Sequence, residues 1–346
     1  MKAKTVVGWL AGLTLMATPA LAGQAPGQNG LLAFWYSPPT SSTSFLAVGD
    51  PSSDYFEVIL DVAASPVVDY VGHSSWSPDG SRIAFSASND TLSDWRMYVI
   101  NVDGSGLQEL FWDDDGTPEP LQDCFNFEWA ENGLIYAACY DSPGGSIPNG
   151  TIVFNPDTGE VAHFCPEVLH QHMALSPNRQ TIVSVEQGVA IQTAPASDPC
   201  NVSSLSTTPG DINPQHTIWA PDGNSLFFTD RPAFNRRDIY TVGASGGNLT
   251  LVIEDGFSPS PSPDGQFLAY VDWNSRQVTV SGIDGSDPVN LFTQWGVDGE
   301  AGSVSWSREP VPQTAPVSVP TQSPAGLAML MMLLAGLGLL AVRKMA

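Results

Sequence analysis

The strongest constraint on the fold is a short phrase of sequence that recurs along the chain. An apolar segment, often ending in Trp, is followed by a Pro-Asp-Gly turn and a second apolar segment. Proline presets φ, aspartate bonds to the local backbone and glycine supplies a positive φ, so each copy predicts a β-hairpin. Three copies have the full turn, at Pro78-Asp79-Gly80, Pro221-Asp222-Gly223 and Pro263-Asp264-Gly265. Two degenerate copies have turns at Asn132-Gly133 and Asn178-Arg179.

Two further strands follow each hairpin. Third strands are predicted at 97–102, 150–155, 189–193, 238–242 and 277–283, and fourth, edge strands at positions such as 107–111 and 288–292. Four antiparallel strands in roughly 40 to 50 residues is the pattern of one propeller blade.

The number of blades follows from the two ends of the repeat. The body opens at Gly30 with the second half of the phrase and closes at Trp306 with its first strand. Six repeat intervals separate these halves, which predicts an all-β, six-bladed β-propeller of four-stranded antiparallel blades over residues 23–308. The strand at Trp306 should complete the first blade and close the ring, so that no free sheet edge remains at the junction.

The phrase resembles the Trp-Asp-like repeat of the TolB propeller family, which also occurs in the propeller domain of prolyl oligopeptidase-type enzymes. The resemblance covers roughly residues 28–308 and implies a propeller fold and an extracytoplasmic location. It implies no reaction, because those enzymes carry a separate α/β-hydrolase domain for which this chain lacks the length.

Both ends of the chain predict export. Residues 1–22 have the layout of a secretory signal peptide, with Lys2 and Lys4 before an apolar core and small residues at the end. A retained membrane anchor is the alternative. Residues 325–342 form an apolar segment long enough for a transmembrane helix, and the basic end at 343–346 places the body outside the cytoplasm. Residues 309–324, rich in Pro, Ser and Thr, predict an extended stalk.

The stalk ends in a sequence that resembles bacterial carboxy-terminal sorting signals of the IPTL-CTERM and PEP-CTERM kind. Val319, Pro320, Thr321 and Ser323 fit the first type, whereas Gln322 departs from it. The resemblance implies recognition by an exosortase-like membrane protease, tethering to the inner membrane and transfer to the cell envelope or surface. An ordinary stop-transfer anchor is the alternative.

The charge of the body is one-sided. Between the end segments the chain contains eight arginines, no lysine and all thirty-six Asp and Glu residues, a net charge of about −28. Such a surface repels phosphate backbones, which excludes nucleic acid as a partner. Solubility is the simplest explanation, and calcium binding is the alternative because carboxylates are hard oxygen ligands. The densest acidic cluster, at 113–116, lacks the alternating spacing of a calcium loop.

The four cysteines predict two structural disulfides, because the protein is exported and their number is even. A two-residue turn at Glu131-Asn132 would place Trp129 opposite Leu134 and Cys124 opposite Cys139, within bridging distance. Cys165 is then left to pair with Cys200 in the neighbouring blade.

Three histidines occupy one repeat position. His73, His172 and His216 each lie three residues before the key position of their repeat, in the strand expected to lie nearest the propeller axis. Three imidazoles converging on a channel predict a zinc or manganese site, with His170 as a further ligand. This pattern resembles that of propeller pectate-fragment lyases. The alternative is that these histidines serve hydrogen bonding alone.

The tryptophans fall into two groups. Trp76, Trp129, Trp219 and Trp306 recur at one repeat position, which predicts core packing. Trp95 and Trp112 do not recur and are candidates for an exposed binding surface, with edge-strand packing as the alternative.

Taken together, the sequence predicts an exported, surface-anchored, monomeric propeller that binds an envelope protein or glycan without catalysis or a cofactor. The alternative is a metal-dependent lyase or hydrolase of acidic polysaccharide that uses His73, His172 and His216. A purely structural envelope component is a third hypothesis.

Overall fold

The computed structural model describes residues 29–307, apart from 42, 62–67, 69, 89–94, 114–115, 141–148, 167, 169–170, 187–189 and 206–211. The predicted signal peptide, stalk, sorting motif and membrane helix, and also His170, therefore lie outside the described residues. Within the described part, no helix is long and apolar enough to cross a membrane.

Six four-stranded antiparallel sheets, the blades, succeed one another along the chain. The first three are built from β1 (Leu32–Ser37), β2 (Phe45–Gly49) and β3 (Phe56–Leu60); β4 (Tyr70–Trp76), β5 (Arg82–Ser88), β6 (Trp95–Asn101) and β7 (Gln108–Glu109); and, after the small ribbon of β8 (Phe111–Trp112) and β9 (Glu119–Pro120), β10 (Cys124–Trp129), β11 (Ile135–Cys139), β12 (Gly150–Phe154) and β13 (Val161–Pro166).

The remaining blades repeat this order. They are built from β14 (Gln171–Leu175), β15 (Thr181–Glu186), β16 (Ala190–Pro195) and β17 (Ser203–Ser204); β18 (Pro214–Trp219), β19 (Ser225–Ala233), β20 (Arg236–Gly243) and β21 (Thr250–Ile253); and β22 (Gly256–Pro261), β23 (Phe267–Asp272), β24 (Val278–Gly282) and β25 (Val289–Asn290), followed by the helix α1 (Leu291–Trp295) and β26 (Glu300–Trp306).

The last strand closes the ring as predicted. β26 pairs antiparallel with β1, with Trp306 opposite Leu32 and Glu300 opposite Ser37, and so completes the first blade. Each of six buried apolar clusters lies between two neighbouring blades, including the sixth and the first. The recurring tryptophans are buried in these clusters, which confirms their packing role.

The turns of the repeated phrase have the predicted chemistry. Gly80, Gly223 and Gly265 have φ near 70°, a conformation that favours glycine because it has no Cβ. The Asp79 carboxylate accepts hydrogen bonds from the Ser77 hydroxyl and from the backbone N–H of Ser81. These hairpins, from the first to the second strand of each blade, define one face of the propeller, which we call the turn face.

Both disulfides join the predicted partners. Cys124 is bonded to Cys139 and Cys165 to Cys200. The predicted hairpin register was wrong, because Trp129 lies opposite Ile135 rather than Leu134. A β-bulge between Cys124 and Asn126 absorbs this one-residue difference and brings the cysteines opposite each other.

Two other predictions need correction. The predicted edge strand at 288–292 ends at Asn290, and Phe292 lies in α1, where it packs against the first blade. Asn290 caps this helix by accepting the Thr293 N–H at 3.1 Å. Trp112 forms no exposed surface, since it is only 8% exposed within the cluster between the second and third blades.

Candidate functional site

The innermost strands of the six blades each carry a polar residue at one equivalent repeat position. β4, β10, β14, β18, β22 and β26 contact one another in sequence around the ring. Each contains a register shift near its middle, which re-aims the side chains that precede the repeated key position. The six residues at this position, here called the channel ring, are His73, Asn126, His172, His216, Ser258 and Ser303. Four of them adopt a φ between 46° and 55°.

His73 is held at both ring nitrogens. Its Nε2 lies 3.1 Å from the carbonyl oxygen of Phe127 and its Nδ1 lies 2.7 Å from the Ser303 hydroxyl. A carbonyl only accepts, so Nε2 carries the proton and Nδ1 accepts from the hydroxyl. Burial lowers the pKa of His73 to about 4, although the hydrogen bond to Phe127 acts in the opposite direction. His73 is therefore neutral at physiological pH.

His172 and His216 lie against each other, with ring centroids 4.2 Å apart. The Nδ1 atom of each is buried and has no hydrogen-bond partner within the described residues. Burial lowers the pKa of His216 to about 3, helped by nearby His73 and Arg237, and lowers that of His172 well below its ordinary value. Neither ring carries a charge near pH 7.

The histidines line a cavity of about 60 Å³, together with Glu128 and Ser258. His73, His172 and His216 are half-buried at this cavity, and desolvation disfavours their charged forms. The space suits a few water molecules. Among the described residues, no group of three or more His, Cys, Asp or Glu is arranged to hold a metal ion. The metal site at His73, His172 and His216 therefore stays a prediction.

A second polar cluster lies on the face opposite the turn face. It contains two residues of the β19–β20 hairpin (Arg231 and Phe234), one at the start of β20 (Arg237), and two in the turn between β23 and β24 (Trp273 and Arg276). We call these five residues the arginine face. The Phe234 side chain at the hairpin tip is 85% exposed.

Cation–π contacts hold this cluster in place. The Arg237 and Arg276 guanidinium carbons lie 4.7 and 5.0 Å from the centroid of the Trp273 ring, and the Trp273 Nε1–H donates to the Asn235 carbonyl at 2.8 Å. The Arg231 guanidinium lies 5.2 Å from the centroid of Phe234. The guanidinium groups are thus stacked on aromatic rings.

No described carboxylate forms a salt bridge with these three arginines. Arg236, next to the cluster, is paired with Asp238, whereas Asp255 and Asp272 accept hydrogen bonds from Asn274 and the Ser275 N–H. The pKa of Arg237 is lowered, first by burial and then by the charges of Arg231 and Arg276.

The arginine face adjoins the channel ring. Arg276 stacks on Phe257 at 4.9 Å, and the Phe257 ring lies 6.3 Å from that of His216. Sequence reasoning grouped the histidines correctly but missed the arginines. The available signal was that four of the eight body arginines lie at 231, 236, 237 and 276 in a chain otherwise poor in cations.

One short sequence fits the serine-hydrolase elbow, Gly243-Ala244-Ser245-Gly246-Gly247. It lies between the strands β20 and β21, where Gly246 donates to Gly243 in a tight turn and Ser245 is exposed. A nucleophile elbow instead leads from a strand into a helix. This segment is therefore an ordinary hairpin turn.

Fold and tail together define an exported, envelope-associated protein of the six-bladed propeller class. Residues 317–344 match the IPTL-CTERM motif, which confirms the predicted sorting signal. No curated protein compared with the chain matches it.

Solved structures show the same fold. TolB from Acinetobacter baumannii is 15% identical with a TM-score of 0.62, over 80% of this chain and 66% of that one. This chain thus spans just under two thirds of that protein. A structure assigned as TolB from Agrobacterium tumefaciens is 15% identical with a TM-score of 0.53, over 82% and 99% of the two chains. A chain of a nidogen–laminin complex is 13% identical with a TM-score of 0.57, over 81% and 100%. At these identities the likeness concerns the fold alone.

Proposed function

We propose that this protein is a non-catalytic recognition propeller of the bacterial envelope, which binds a protein partner through the arginine face. The observation that carries the proposal is Phe234, which is 85% exposed beside Arg231, in a cluster of three arginines for which the described residues provide no salt-bridge partner. Aromatic residues and arginine are enriched in protein interfaces and among the residues that dominate binding energy. The rigid ring holds these loop residues in place, as is usual for recognition sites.

The channel histidines are the basis of the alternative function. They are neutral, which is the form in which an imidazole binds a metal ion. The metal-dependent enzyme remains the alternative. Elemental analysis of the purified full chain, with His216→Ala for comparison, tests it directly, because a bound metal lost in that variant would favour the enzyme.

The proposal is tested with envelope fractions from cells that lack this protein. The full chain, purified in detergent and labelled, should bind these fractions saturably, and Phe234→Ser should weaken binding at least tenfold. Leu251→Ser removes an apolar side chain that is 40% exposed on the outer strand of the same blade, so it is the matched control and should bind like the wild type. Non-saturable binding, or equal binding by Phe234→Ser, would refute the proposal.

A further inference from the structure

The arginine face has a chemistry that specifies its partner further. The guanidinium groups of Arg237 and Arg276 lie against the same Trp273 ring, and Arg231 lies against Phe234 of the hairpin that also carries Arg237. Bringing like charges together opposes folding unless an anion offsets them. Among the described residues, no carboxylate forms a salt bridge with any of the three arginines.

The geometry favours carboxylates as the missing anions. Arg237 and Arg276 lie against Trp273 and Arg231 lies against Phe234, while Arg237 Nη1 also donates to the backbone carbonyl of Arg236 at 3.0 Å and to those of Ala233 and Phe234 at 3.5 Å. Each guanidinium carries further N–H donors that a carboxylate can engage. The planar fork of N–H groups matches a carboxylate, and such pairs are often bidentate. Because the rings hold the side chains in position, little rotamer freedom is lost on binding.

The exposed phenylalanine favours a peptide over a sugar chain. Phe234 protrudes from the hairpin tip and offers its ring edge and open face to an apolar side chain, as interface anchors do. An apolar residue beside acidic residues meets both demands of the surface. The net charge of about −28 repels a large acidic globule, whereas a flexible segment brings only a few carboxylates within the Debye length of about 8 Å.

We propose that the arginine face binds an extended acidic segment of a protein partner, with carboxylates on Arg231, Arg237 and Arg276 and an apolar residue against Phe234. This inference rests on the proposed function and names the chemistry of the partner at the same site.

The experiment measures fluorescence anisotropy of eight-residue labelled peptides with the full chain in detergent at 0.15 M salt. The probe alternates Glu and Leu, and the comparison peptides replace every Glu by Gln or by Lys. The Glu peptide should bind saturably and at least tenfold more tightly than either comparison peptide. Arg237→Gln and Arg276→Gln should each weaken its binding about tenfold, the loss of one charge-assisted contact.

A matched variant separates local recognition from overall charge. Arg179 is an exposed arginine on the turn face, paired with Glu131, and Arg179→Gln changes the net charge by the same amount as Arg237→Gln. Its binding should equal that of the wild type. If an arginine variant fails to fold, Phe234→Ala provides the independent reading, because this exposed side chain contributes little to the fold.

Several outcomes would overturn the inference. These are equal binding of the Gln peptide, equal weakening by Arg179→Gln, and binding of an oligogalacturonate probe in the absence of peptide binding. If the peptides fail while Phe234→Ser still abolishes binding to envelope fractions, the proposed function stands and only its acidic partner is wrong.

Discussion

Lowering the pH from 7.5 to 5 should destabilise the propeller through its channel histidines, and His216 gives the sharpest test. Burial lowers its pKa to about 3, whereas histidine in an unfolded chain titrates near 6.5. Between about pH 3 and pH 6.5, this histidine is protonated in the unfolded chain and neutral in the folded chain. The free energy of unfolding therefore decreases as the pH falls below about 6.5 and levels off near pH 3.

The size of the effect follows from the two pKa values. A histidine that titrates at 6.5 unfolded and at about 3 folded lowers the free energy of unfolding by about 2 kcal/mol at pH 5. In a propeller of this length, with an unfolding entropy of about 2.1 cal/mol/K per residue, this corresponds to about 3 °C in the thermal midpoint.

The assay compares thermal unfolding of the wild type and His216→Asn at pH 7.5 and pH 5. Asparagine is polar but does not titrate. The thermal midpoint of the variant should therefore fall by about 3 °C less than that of the wild type when the pH is lowered from 7.5 to 5. Carboxylate titration is shared by both proteins and cancels in the comparison. Thr217→Val, which removes the neighbouring buried hydroxyl that has no described partner, should keep the wild-type pH dependence. If the thermal midpoints of His216→Asn and the wild type fall by the same amount, the claim that His216 stays neutral in the folded chain at pH 5 is refuted.

Three further measurements test the ring itself. Ser260→Ala removes the hydroxyl that accepts the backbone N–H of Trp306 at 2.9 Å, between β22 of the sixth blade and β26 of the first. Denaturant unfolding should therefore show a loss of about 1–3 kcal/mol; a loss below about 0.5 kcal/mol would contradict this. Gly302→Ala places a Cβ 2.6 Å from the Trp35 indole and should lower the thermal midpoint, with partial recovery when Trp35→Leu is added. Reduction should cost about 3 kcal/mol for the 15-residue Cys124–Cys139 loop and about 4 kcal/mol for the 35-residue Cys165–Cys200 loop, and an unfolding midpoint unchanged by reductant would count against both values.

The ring was predictable because its information is local and repeated. The turn chemistry at Gly80, Gly223 and Gly265 identifies each hairpin, and the two half-phrases at Gly30 and Trp306 identify the closure. The error at Trp129 shows the limit of this reasoning. The alternation of apolar and polar residues along a strand does not reveal a β-bulge. The predicted register of the β10–β11 hairpin was therefore wrong by one residue.

The helix α1 was missed for a different reason. A short apolar run such as the one ending in Trp295 fits either an edge strand or a single helical turn, and its length decides nothing. The end signals were present, because Asn290 and Gly296 are a typical N-cap and a left-handed C-terminal residue. Here the caps carried more information than the hydrophobic pattern.

The two polar sites differ in how far sequence reasoning reaches them. The channel ring is a consequence of the repeat, since one position in six equivalent strands must face one axis. The arginine face is assembled from the β19–β20 hairpin and the turn before β24, so it depends on how two neighbouring blades pack and on loops that differ from blade to blade. A sequence repeat predicts only the features that all blades have in common. The arginine face lies on loops that differ between blades, so the repeat does not predict it.

This difference also bears on why the arginines are there. Leucine or methionine would cover Trp273 and Phe234 as well as a guanidinium does, without placing three positive charges near one another. Packing of the propeller therefore does not require this arrangement, and the mutual repulsion of the three charges, which adds to burial in lowering the pKa of Arg237, opposes it. Under the proposed function, a surface that is costly for the fold is explained by a ligand that supplies an anion, at the loops where a rigid propeller presents its specific contacts.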